Sequence, residues 1–258
     1  MNGKRVVLLH AAVPVLVIAA WELLGRLQVL PPYLSTPVSI LGGLWDFASS
    51  GELFVALAVS LYRVTLGFAA GALAGAIAGL AAGVVPGVRN FFDPLVSFLY
   101  SIPKIAFLPV FLLLFGLGHA SKIGIIGFSV FFPVFVAARH AVLSINPILL
   151  WAARNMGADP RTVFLRVVIP AAMPELFSGV RVGLAHAFVV LFAAELIGSK
   201  AGLANLVTYG EDWARFDLMF AGIVCFAVLG FLADRLLLAV RARVLKGHLI
   251  GTEEQVVR

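Results

Sequence analysis

Charge is scarce in this chain, and so are most of the devices that soluble enzymes use. Only 12% of the 258 residues are charged while 62% are hydrophobic, so no polar shell exists to cover a water-soluble core of this size. There is one cysteine, Cys225, so no disulfide can form within the chain, and its place in an apolar stretch makes it a small packing residue. The 13 acids and 5 histidines are scattered, with no HExxH or comparable constellation, which argues against a metal site and against an integral membrane enzyme. No G-x4-G-K-[ST] run occurs. Gly198-Ser199-Lys200 lacks the upstream glycine, so nucleotide chemistry is not expected here. Fixed-period repeats and low-complexity linkers are also missing, as is the period-two alternation of a membrane barrel.

What remains are long apolar stretches, and they read as an all-α integral membrane protein. A span needs roughly 20 apolar residues to cross about 30 Å of hydrocarbon. About six stretches qualify, near 6–24, 61–85, 91–115, 123–142, 180–198 and 218–240. The first follows Lys4 and Arg5 like a signal peptide, but Trp21-Glu22-Leu23-Leu24 offers no cleavage site and the segment is expected to be retained. The expected organisation is an N-terminal span (1–29), a core of about five spans (30–245) with a polar loop at 144–172, and a tail (246–258). The net charge of +6 needs no nucleic acid to explain it, because cytoplasmic flanks of membrane helices collect Lys and Arg. With the N-terminus inside, Arg89, Arg139, Arg154, Arg161, Arg166 and Arg181 join a cytoplasmic set. It outnumbers Arg26, Arg63, Lys122, Lys200 and Arg215 by more than two to one, and both termini are then cytoplasmic.

Several features carry two readings each. Pro37–Phe47 is either a short outer helix anchored by Trp45 or an ordinary loop. Glycines 67, 71, 75, 79 and 83 let another helix approach closely, either within the subunit or in a dimer or moving helix pair. Pro94, Pro103 and Pro109 interrupt the third span. Lys104 either lines a pathway there or sits at headgroup level with 91–101 along the interface. Arg63, His186 and Glu195 are further pathway candidates. Glu195 reads first as a gate or packing contact, and His186 as a satisfied core histidine.

The most informative segment is polar. In LWAARNMGADPRTVFLRVVIP, from Leu150 to Pro170, Asn146-Pro147 starts a helix and Gly157 ends it in the left-handed conformation. Asp159 caps a second helix with Pro160 in its first turn, and Pro170 is expected to close it. Leu149, Ala152, Ala153 and Met156 share a small, apolar side. The paired alanines make the first helix thin enough for a groove whose rim Arg154 and Arg161 can reach.

Ala152-Ala153, three residues, Gly157, nine residues, Val167, one residue and Ile169-Pro170 resemble the coupling signature E-A-A-x3-G-x9-I-x-L-P of permease subunits of binding-protein-dependent ABC importers. SIPKIAFLPVFLLLFGLG (Ser101–Gly118), SKIGIIGFSVFFPVFVAARH (Ser121–His140) and AELIGSKAGLANLV (Ala194–Val207) resemble the branch importing sulfonates, taurine and nitrate. The likeness runs from about Leu30 to Leu245, and Trp151 departs from the acidic first position. The resemblance implies a type I importer permease fold and, in the prokaryotic plasma membrane, a second permease copy as homodimer partner. It also implies a cytoplasmic ATPase dimer carrying ATP and Mg, and an extracytoplasmic solute-binding protein. Trp151, Ala152, Ala153, Arg154, Met156, Gly157, Ala158, Asp159, Pro160, Arg161 and Pro170 would form the ATPase contact. The competing class is an ion-coupled secondary transporter, disfavoured because no paired halves with broken mid-membrane helices are found.

Overall fold

The computed structural model describes residues 3–197, 199 and 201–247, with side chains described from Ala12 onward. Gly198, Lys200 and the tail beyond Gly247 lie outside the described residues. Every regular element among those described is helical. Among the described residues four helices are long and apolar enough to cross a membrane: α3 (Glu52–Val84), α6 (His119–Leu143), the run Pro160–Leu196 and α10 (Phe216–Val244). A fifth candidate is a pair bent by 97°, α4 (Pro86–Tyr100) and the stretch Lys104–Phe115 that ends in α5 (Leu108–Phe115). The stretch expected as the first span is helical, forming the 24-residue helix α1 (Gly3–Arg26).

The chain groups into two compact units, Met1–Ser60 with Ser199–Ala227, and Leu61–Gly198 with Val228–Arg258. In the first, the segment expected as either a short helix or a loop settles as a helix, α2 (Pro37–Ser49). Thr36 caps it by accepting from the Ser39 amide, Pro37 pre-sets its first turn, and Trp45 stands exposed. Val38 N donates to the Glu22 carboxylate at 3.0 Å, tying α2 to α1, and Trp21 meets Phe220 edge-on at 6.3 Å. Gly51 follows with φ +82, and the Ser50 hydroxyl accepts from the Glu52 amide, which starts α3 nine residues before the apolar run that marks the span in the sequence.

In the second unit α6 is the central helix. Ile125, Ile126, Val130, Val134, Phe135 and Ala138 are all enclosed. The reason is on its neighbours: a Cβ at Gly71 would strike the Gly127 carbonyl, and at Gly75 and Gly79 the carbonyls of Phe131 and Phe135. The glycine stripe of α3 is therefore filled by α6 of the same chain, which lets backbones touch and dispersion act at short range. On its other side α6 meets α9 (Ile169–Leu196) in the same manner, where Gly179 lies against Ala137 and Pro133.

The bend in the third span falls at Ser101-Ile102-Pro103, while Pro94 is absorbed within α4 and Pro109 begins α5. A helix that stops at depth leaves carbonyls without partners. Lys104 supplies them: its Nζ donates to the carbonyls of Leu99, Tyr100 and Ile102 at 2.8–2.9 Å and lies 4.9 Å from the Phe132 ring centroid. The ammonium thus turns back onto its own chain as a cap.

Candidate functional site

The polar loop folds as its local signals require. α7 (Pro147–Asn155) starts where Asn146 Oδ1 accepts from the Ile148 amide at 2.9 Å. It ends at Gly157, whose φ is +81. Ala158 N donates to Ala153 O and Gly157 N to Arg154 O, the paired 6→1 and 5→2 bonds of a Schellman turn. Asp159 is the N-cap of α8 (Pro160–Val163), with Pro160 in the first turn. Its carboxyl is held below the usual carboxylate range, chiefly by a hydrogen bond from the Thr162 side chain.

Two expectations fail here for reasons outside local sequence. Pro170 does not close the second helix. Phe164–Val168 forms a π-helical turn in which Ile169 N donates to Phe164 O, and the helix runs on through Pro170 to Leu196. The wider turn re-registers the backbone, so the missing proline amide interrupts nothing. Nor is Ala153 on the groove side with Ala152. It packs with Val163 and Val168 over a pad that includes Ile145 and Leu150, because the tight Schellman turn folds α8 back against α7. The outward face carries Ile148, Leu149, Trp151 and Met156, with Met156 80% and Trp151 62% exposed. Ala152, Arg154 and Arg161 are exposed beside them.

The candidate pathway residues separate into distinct places. Arg63 on α3 and Glu195 on α9 come together: Nη1 donates to Oε1 at 2.7 Å, with both side chains almost fully enclosed. Arg63 Nε donates to His119 Nδ1 at 3.2 Å. Lys122, placed among outer flanking charges by the sequence, is completely buried one turn beyond His119 and donates to the Leu117 carbonyl at 2.8 Å. Three helices are therefore clasped by a polar cluster, and in this conformation Arg63 and Glu195 face each other. Lys104 is committed to its cap, and His186 is half-buried on α9. Sequence reasoning missed His119 and the burial of Lys122. The only hint was their shared face at the start of an apolar helix. Among the described residues no three His, Cys, Asp or Glu side chains gather as a metal site would require.

Residues 71–246 match the family model described as binding-protein-dependent transport system inner membrane component. The putative aliphatic sulfonates transport permease protein SsuC of Bacillus subtilis (strain 168) is 34% identical over 90% of this chain and 85% of its own length. The taurine transport system permease protein TauC of Escherichia coli (strain K12) is 32% identical over 95% and 91%. Among solved structures, a chain of the MetNI methionine ABC transporter in an inward-facing conformation superposes with a TM-score of 0.55. It shares 18% identity and covers 77% of this chain and 94% of that one. That likeness carries the type I importer permease fold.

Proposed function

The chain belongs to the family of binding-protein-dependent transport system inner membrane components, as a permease subunit of an ABC importer, and from that premise we propose how it works. Two copies, with cores at residues 30–245, form the path for a small solute bearing an anionic group, such as a sulfonate, taurine or nitrate. An external binding protein delivers the solute, and a separate pair of cytoplasmic ATPase subunits drives the cycle. This chain catalyses no reaction itself. Both of its termini face the cytoplasm with the α7–α8 loop, in accord with the bias of Lys and Arg.

One observation carries the coupling assignment: the apolar face of Ile148, Leu149, Trp151 and Met156 stands exposed on a capped helix that is otherwise pinned to a buried pad. Large apolar side chains grouped this way on a polar loop mark a surface that a partner covers. Trp151 fills an apolar recess on the ATPase, and Arg154 and Arg161 meet carboxylates at its rim. The unbroken run Pro160–Leu196 gives the leverage. Its 37 residues reach about 55 Å at 1.5 Å per residue, with the loop at one end and Glu195 at the other. A push on α8 is therefore carried along one continuous helical run toward the Arg63–Glu195 pair. The ATP-bound partner must fit one permease state better than the other, since equal affinity would shift no population.

The test is reconstitution of permease, ATPase and binding protein in vesicles, with Trp151→Glu and Met156→Asp alongside the parent. Uptake of a sulfonate should require ATP and stop with vanadate. Both variants should insert normally yet lose ATPase pull-down and uptake together. Vanadate-resistant uptake driven by an ion gradient, or undiminished pull-down by both variants, would overturn the reading.

A further inference from the structure

A cavity of about 460 Å³ opens between α4 and the end of α6. Asp93, Ser97 and Ser101, spaced four residues apart on one side of α4 and its C-cap, form one wall. Arg139 and His140 form the other. The ion pair between them is one-sided: Arg139 Nη2 donates to Asp93 Oδ2 at 2.5 Å, while its Nε–H is enclosed and meets no acceptor among the described residues. Asp93 thus holds the guanidinium in place through Nη2; the enclosed Nε is out of a ligand's reach, and the donors left for one are those of the terminal Nη1–Nη2 edge of this partly exposed side chain. Tyr100 completes the wall, and the Lys104 ammonium lies 5.3 Å from its ring centroid, adding positive charge behind it.

A guanidinium edge, two hydroxyls and an imidazole within one cavity fit an acceptor with several oxygens around one centre. A cation would have to compete with Arg139 for Asp93, and a neutral carbonyl, with two lone pairs on one oxygen, would use at most two of these donors and none of the charge. We propose that this cavity binds a tetrahedral oxyanion, a sulfonate or phosphate group, through Arg139 with Ser97 and Ser101 as additional donors. The group belongs either to a free solute or to a lipid headgroup, for the donors are the same. Arg139 stands four residues before α6 ends at Leu143, and α7 begins at Pro147, so the occupant sits beside the root of the α7–α8 loop.

The experiment is calorimetry on the delipidated, purified permease–ATPase complex with ethanesulfonate, inorganic phosphate and a short-chain phosphatidylglycerol. At least one of the three binds the parent. Arg139→Gln weakens that binding at least tenfold, and the double variant Ser97→Ala with Ser101→Ala at least threefold. The serine variant leaves the Arg139–Asp93 pair intact, so it remains informative if Arg139→Gln fails to fold. A loss in either variant supports the site. Ethanesulfonate or phosphate as ligand makes it a solute site, and the lipid alone makes it a headgroup site. Absence of binding by all three, or unchanged affinity in both variants, overturns the proposal. Binding is read without transport, so a failure of sulfonate uptake would refute the transported class and leave this result standing.

Discussion

Gly157 offers the cleanest separation of strain from docking. Its φ of +81 is natural for glycine, and a Cβ built there finds nothing within 4 Å, so within this chain Gly157→Ala has a conformational cost only. A left-handed conformation costs a non-glycine residue roughly 1–2 kcal/mol, and asparagine tolerates it better than alanine. Opening of the Schellman turn should therefore become easier by a factor of about 5–30 in Gly157→Ala and by less in Gly157→Asn. Hydrogen exchange at the Gly157 and Ala158 amides should follow the order glycine, asparagine, alanine, from most to least protected. If the ATPase seats against this turn, the added bulk reverses the last two in pull-down and in ATPase stimulation, and asparagine becomes the worse substitution. An association series that tracks exchange protection would mean that strain is all that matters and that the glycine does not face a partner. Full association by both variants would remove the turn from the coupling surface altogether.

Glu195→Gln takes away the buried carboxylate that Arg63 meets at 2.7 Å and should destabilise the protein by roughly 3–5 kcal/mol. Arg63→Met with Glu195→Met should recover most of the loss, and an unchanged melting midpoint for the single variant would contradict the clasp. Gly71→Leu drives a side chain into the Gly127 carbonyl, where backbone cannot yield. The overpacking cost is about 1–3 kcal/mol or more, read as a lower melting temperature, and native-like stability would show that α3 and α6 do not touch there. Because the folded pKa of Asp159 lies below its ordinary 3.8, its contribution to loop order is present above that value and lost as pH falls through the folded one. Asp159→Asn should abolish this acid-side loss of protection in amides 160–163, and an identical pH profile for the variant would show that the carboxylate contributes nothing.

Much of the loop was legible before any coordinates. Asn146-Pro147, Gly157 and Asp159-Pro160 act through dihedral preferences and hydrogen bonds that span no more than a turn or so, and each stands where those signals put it. The break at Pro103 was legible for the same reason. Pro170 was misread because its effect depends on a π turn that the preceding residues form against the α7 pad, and no local rule for proline contains that context. The inward turn of Ala153 and the burial of Lys122 likewise required packing partners. So did the meeting of Asp93 with Arg139, 46 positions apart, which makes the cavity between α4 and α6.

Solvent and segment types are set by composition: with so few charges and such long apolar runs, only helices can satisfy the backbone in a bilayer, and that much follows from the residues in order. Which charges meet is a different matter. Arg63 and Glu195 are 132 positions apart, and nothing in either neighbourhood specifies the other. Only the close packing of α6 against the glycines of α3 and α9 brings them to one point. There, burial turns two individually costly charges into a mutual requirement.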